Sequence, residues 1–215
     1  MPAPTPLDGQ VLTNVAPGKG GVERDPNIIH AHTFPGAASQ ELLQNAVTME
    51  VSARREGDQL VVDVSIINDL TGHHVPTDSP LRHLILLVEA VDEQGRVLEQ
   101  LAGPRVPEWG GVGDPGEGYY AGLPGKTYAK VLTELWTEVS PTGAYWNPTR
   151  LESDNRLAAF ETDEQSFKFT APEGTGWIEV KLFFRRAYKS LMDQKGWDDP
   201  DILMEQVILE LSPEG

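Results

Sequence analysis

Cysteine is missing from the chain altogether. Its absence excludes disulfides, thiolate catalysis, zinc–cysteine sites, iron–sulfur clusters and covalent c-type haem, which needs C-x-x-C-H. Basic residues are scarce, 17 Lys and Arg against 33 Asp and Glu, for a formal charge of −16. A nucleic-acid backbone would be repelled by such a surface before any specific contact formed. Divalent cations or a basic protein partner suit it better. No apolar run approaches the roughly 18–20 residues that a membrane-spanning helix needs. The opening Met1-Pro2-Ala3-Pro4-Thr5-Pro6 has neither the basic nor the apolar region of a secretion signal, and reads as a loose leader or the start of a mature fragment. Enzyme signatures are missing too: no G-x-S-x-G elbow, P-loop, H-E-x-x-H, or G-x-G-x-x-G after a strand.

What is present is apolar alternation broken by turn residues. Hydrophobic residues make up 39%, enough for a core, and the 21 glycines and 17 prolines gather between apolar runs. Residues 1–38 read as an extended N-terminal arm and 39–215 as one β domain. Ser39–Ala46 fits a short helix with Ser39 as N-cap and Leu42 and Leu43 on its buried side. Odd positions are apolar in 47–51 and even ones in 60–66, with Glu56-Gly57-Asp58 as a hairpin turn. Residues 84–91 are apolar at both parities, as in a central strand covered on both faces. Asp92-Glu93-Gln94-Gly95 predicts a second hairpin, into 96–99. Further strands are expected at 127–135, 166–169, 177–185 and 203–211, with a short helix over 187–195 ended by Gly196. The fold class is all-β: an antiparallel, immunoglobulin-like β-sandwich of about eight strands with long Gly/Pro-rich loops and one or two short helices.

Two features invite a functional reading. All five histidines, His30, His32, His73, His74 and His83, precede residue 84. Imidazole ligates transition metals and haem iron, although these spacings lack the i,i+4 frame of a helical metal site. Residues 68–83 are dense in hydrogen-bonding groups: a rigid turn, or a loop presenting His73 and His74. With Asp69, Asp78 and Asp154 it is also a candidate for calcium, as is the Asp193–Asp201 cluster, which lacks regular calcium-loop spacing. A buried Arg82 would need a carboxylate, and Asp154 is the candidate. The second feature is residues 102–125, with eight glycines and four prolines around Trp109, Tyr119 and Tyr120. A loop of this length is functional or packs as a lid. Those three rings are the candidate platform for a carbohydrate or cell-surface ligand. The other aromatics, Trp136, Tyr145, Trp146 and Trp177, are expected mostly in the core or anchoring loops.

The string His32-Thr33-Phe34-Pro35-Gly36, a strand pair, Asn68…Gly72-His73…Pro76-Thr77…Pro80-Leu81-Arg82, then 151–157 and 180–186, resembles the β-sandwich module C-terminal to the haem-binding part of some multihaem cytochromes c. The likeness spans roughly residues 30–210. It implies a periplasmic or extracellular electron-transfer setting and a haem-bearing cytochrome domain or subunit as partner. It also implies that His32, with His30 as the near alternative, donates a distal axial ligand to a haem held in trans. The chain departs from the haem-bearing pattern in having no C-x-x-C-H. The reading is therefore non-catalytic; a sugar-binding sandwich and a histidine-ligated metal protein are the alternatives.

Overall fold

A computed structural model describes residues 13–14, 17–25, 36–37, 39–77 and 79–212. The chain divides into two units, residues 1–36 and 37–215. In the first, the Arg24 N–H donates to the Thr13 carbonyl (2.7 Å) and Asn14 Nδ2 to the Gly21 carbonyl (2.6 Å), closing a small loop around a 3-10 turn at Pro17–Lys19.

The second unit is a β-sandwich of nine strands: β1 Thr48–Glu56, β2 Gln59–Ile67, β3 His83–Asp92, β4 Gln100–Ala102, β5 Gly125–Glu134, β6 Thr149–Asp154, β7 Thr162–Thr170, β8 Gly176–Arg185 and β9 Ile202–Leu211. One sheet has the order β1-β2-β7-β4 and the other β6-β5-β3-β8-β9, with every pairing antiparallel. Without β5 and β6 the strand order is that of an immunoglobulin sandwich, ABED against GFC. The β5–β6 hairpin is the addition. It is inserted between the strands at the D and E positions and extends the second sheet beyond β3.

Alternation sets the core. Leu60, Val62, Val64 and Ile66 of β2 face Leu84, Leu86, Val88 and Ala90 of β3 and Ile178, Val180, Leu182 and Phe184 of β8, all buried in one cluster with Phe167 and Phe169 of β7. Each such large aliphatic or aromatic side chain contributes about 1.5–3 kcal/mol by leaving water. Between the sheets, Asp163 of β7 accepts from Tyr128 Oη (2.8 Å) and Lys126 Nζ (2.6 Å) of β5. Gly125 starts β5 so close to β3 that a Cβ there would run into the Leu86 carbonyl.

Three local expectations need correction. The first helix, α1, is only Gln40–Leu43, and its Ser39 N-cap makes no side-chain hydrogen bond. Leu43 is buried but Leu42 is exposed, because four residues present a single buried position. The predicted second hairpin shrinks to one bridge, Val91 to Val97. There Asp92 Oδ1 accepts from the Gln94 and Arg96 N–H groups, and the chain then leaves for the other sheet as β4. The last helix, α2, runs Lys189–Lys195 and ends, as expected, at Gly196 in the left-handed region (φ 64°).

Candidate functional site

β3 is buried on both faces, as its apolar run requires, because a lid covers the outside of its sheet. The lid consists of residues 103–124 and α2, and it closes over the end of the sheet where β3 begins and β8 finishes. Val106 and Gly110 of the loop are buried, together with Ala187, Tyr188 and Met192 in and before α2.

His83, the first residue of β3, lies beneath this lid and is fully buried. Its ring stacks on Tyr188 (centroids 5.1 Å, 14° between planes) and meets the edge of Trp109 at 5.2 Å. Trp109 and Tyr188 themselves meet at 5.4 Å. His83 Nδ1 is 3.0 Å from the Leu81 carbonyl. A carbonyl only accepts, so Nδ1 carries the proton and Nε2 the lone pair, and Nε2 has no protein partner. Burial pushes the imidazole pKa down to about 4, helped by the Arg185 charge and opposed by the Leu81 carbonyl and Asp201. The histidine is neutral at physiological pH.

Arg185, the last residue of β8, fastens the lid. Its side chain is 2% exposed. Nε and Nη2 grip Asp201 as a fork (2.7 and 2.6 Å), Nη1 donates to the Gly110 carbonyl (2.8 Å) and Nη2 also to that of Gly118 (2.6 Å). The guanidinium sits 5.1 Å from the Tyr120 ring centroid, and that ring stacks on Phe183. Lys189 Nζ lies 4.3 Å from the Tyr119 centroid and donates to the Glu117 carbonyl (3.0 Å). The lid loop, the end of β8 and the stretch before β9 are thus joined at one planar cation, a geometry that suits arginine and not lysine.

The rings expected to form a ligand platform are therefore lid anchors. Trp109, Tyr119 and Tyr120 are half-buried and pack against His83, Lys189, Phe183 and Arg185. Large exposed rings stand elsewhere: Phe160 (78%), Trp197 (47%) and Trp177 (40%) on other segments, and Trp136 (71%), Tyr145 (90%) and Trp146 (70%) in the turn of the β5–β6 hairpin. Their composition resembles that of buried anchors, and only the position of the inserted hairpin reveals their exposure.

The crossover after β2 is the rigid turn its residues suggested. Asn68 is fully buried, and Nδ2 donates to the carbonyls of His73 (2.8 Å) and Leu157 (3.0 Å) while Thr71 Oγ1 donates to its Oδ1 (2.5 Å). Val75 and Leu157 exchange backbone hydrogen bonds, closing the turn against the segment after β6. His73 and His74 stand exposed on its outside. Asp69 is exposed and accepts from Thr48 Oγ1.

Asp154 is not the partner expected for Arg82. Its two oxygens are gripped by Arg156, two residues on (2.8 and 2.7 Å), which holds the carboxyl below its usual range, with a smaller contribution from nearby His74. Arg82 is half-buried; the buried arginine of the domain is Arg185. Among the described residues no three His, Asp or Glu side chains converge on one point. His30, His32 and Asp78 lie outside the described residues. Likewise among the described residues, no helix is long and apolar enough to cross a membrane.

Comparison with known proteins adds a likeness of fold. No family model matches the chain, and no curated protein does. Among solved structures the chain is similar to a penta-haem cytochrome c552 from Thermochromatium tepidum, with a TM-score of 0.60 and 19% identity. The match covers 80% of this chain and 41% of that one. The chain thus shares its fold with under half the length of that protein.

Proposed function

We propose that the chain is a non-catalytic docking module of an extracytoplasmic multihaem cytochrome c electron-transfer system. The observation that carries this reading is the fold shared with a penta-haem cytochrome over 80% of the chain. The Gly72-His73-x-x-Pro76-Thr77 turn and the His32-Thr33-Phe34-Pro35-Gly36 string support it from the sequence side. With no cysteine, the chain relies on a partner for any c-type haem. What it contributes is an imidazole. His83 is enclosed beneath Trp109 and Tyr188, so it is not the donor. His32 takes the role of distal axial ligand to a partner's haem iron, with His30 as the near alternative. The charge of −16 steers a basic partner, so association is fast at low salt and weakens as salt screens it.

The ligand role is tested with a haem c peptide that keeps one proximal histidine and an open distal position. Titrating it with the wild-type chain should convert its absorption spectrum from high spin to low spin. The His32→Ala chain should lose that conversion at the same concentrations, and His30→Ala should retain it. Equal conversion by the wild type and by a chain lacking both histidines would remove the ligand role.

A further inference from the structure

The β5–β6 hairpin turn leaves apolar side chains in water and holds them there. Trp136, Tyr145 and Trp146 are joined by Leu135 (48% exposed) and Val139 (55%). The backbone of this turn is well bonded: the Leu135 N–H donates to the Pro148 carbonyl (3.0 Å), Glu134 to Val139 (3.0 Å), Glu138 to Glu134 (3.0 Å) and Thr142 to Leu132 (2.9 Å). The Leu135–Pro148 bond ties the two flanks of the turn together, bringing the backbone after β5 beside that before β6. Tyr145 and Trp146 pack edge to face at 5.1 Å. Gly143 lies so close to Leu81 that a Cβ would strike its side chain, which seats the turn on the crossover. A fixed, exposed apolar patch of this kind marks an interaction surface.

The charge of the tip selects the occupant. Residues 134–148 include two carboxylates, Glu134 and Glu138, and no lysine, arginine or histidine. Glu134 is buried at the base of the turn, where its Oε2 accepts from Thr137 Oγ1 and its Oε1 has no protein donor, while Glu138 stands exposed. A second copy of the chain would bring a like charge of −16 against this one. A neutral glycan would use the rings and could hydrogen-bond Glu138, but it would gain nothing from the net charge of the chain. A basic protein surface uses both, because lysine and arginine stems lie on aromatic faces while their charges meet the acidic field.

We infer that the β5–β6 turn, centred on Trp136, Tyr145 and Trp146 with Glu138 at its edge, is the face by which this chain docks a basic protein partner. The inference rests on the docking reading above and assigns it a surface. The rings form the buried centre of the contact, and the carboxylates orient the encounter.

The test uses the full chain and a basic single-haem cytochrome c as probe, following tryptophan quenching by the haem at low and at high salt. Wild type should bind at low salt. Trp136→Ala/Trp146→Ala, which removes only exposed side chains, should weaken binding at least about tenfold, by loss of the aromatic anchors. In that variant the complex is followed by the mobility of the cytochrome on a sizing column. Glu138→Lys should weaken binding a few-fold and flatten its salt dependence. Undiminished binding by both variants would place the contact elsewhere and overturn this inference while leaving the docking reading intact. No binding by wild type would overturn both. A ring-dependent dimer, or rings protected from oxidation by a soluble β-glucan and not by the cytochrome, would replace the basic partner with a second copy or a sugar.

Discussion

Replacing Arg185 by methionine should destabilise the domain by about 3–5 kcal/mol, the loss typical of a buried charge deprived of its partner. Methionine fills much of the same volume, so the loss comes from polar groups. Asp201, at 10% side-chain exposure, keeps its charge and loses a bidentate donor. The Gly110 and Gly118 carbonyls lose theirs as well. Adding Asp201→Leu should restore a large part of the loss, because an apolar pair of similar size can match a buried ion pair. Urea unfolding followed by tryptophan emission measures both variants. Hydrogen exchange should show the lid, residues 103–124 and α2, opening before the sandwich. A loss below about 1 kcal/mol for Arg185→Met would mean the lid is held by its apolar contacts, Val106, Trp109 and Tyr188, and not by the cation.

Acid should loosen the same lid. His83 has its folded pKa pushed from 6.5 down to about 4. The unfolded chain therefore takes up a proton at pH 6.5 that the native chain refuses until about pH 4. A group depressed in this way stabilises fully above its unfolded pKa, and that stability is lost as pH falls toward the folded value. At about 1.4 kcal/mol per pH unit, the loss approaches about 3 kcal/mol between pH 6.5 and 4. Asp63, Asp92 and Asp154, held below their usual range of 3.8, add their losses mainly at lower pH. Glu205, raised by burial, works in the opposite direction near its ordinary 4.5. His83→Phe keeps a flat ring between Tyr188 and Trp109 and gives up the Leu81 bond. Its stability should be nearly level from pH 6.5 to 4.5 while the wild type declines. Parallel slopes for the two proteins would mean that the proton is taken up elsewhere.

Period-two patterning made the sandwich legible, since one face of β2 and β8 must leave water and its residues alternate accordingly. The double burial of β3 was legible in its apolar run at both parities, and the lid was legible because so long a Gly/Pro-rich loop needs a surface to pack on. What covers the lid side was not. Arg185 and Arg186 are neighbours of identical chemistry. Arg185 is enclosed by the lid loop and the stretch before β9, whereas Arg186 is half exposed and pairs with Asp199. No local signal separates them, because burial of the outer sheet face depends on where residues 103–124 return. His83 looked like a loop histidine beside His73 and His74, yet it opens a central strand. Trp109 follows a Gly/Pro-rich stretch and Trp136 a strand, yet the first plugs the lid and the second stands in water. The β5–β6 insertion decides that difference, and a single sequence does not reveal to which edge an inserted hairpin adds.

The central claim is that this sandwich works on a haem-bearing partner. It is tested most directly by recovering the tagged chain from its own host at low salt and recording the alkaline pyridine spectrum of what comes with it. The account predicts c-type haem in the recovered material, released by high salt, and reduced in amount by Trp136→Ala/Trp146→Ala. A colourless chain recovered alone at low salt, from cells that are making c-type cytochromes, would contradict it.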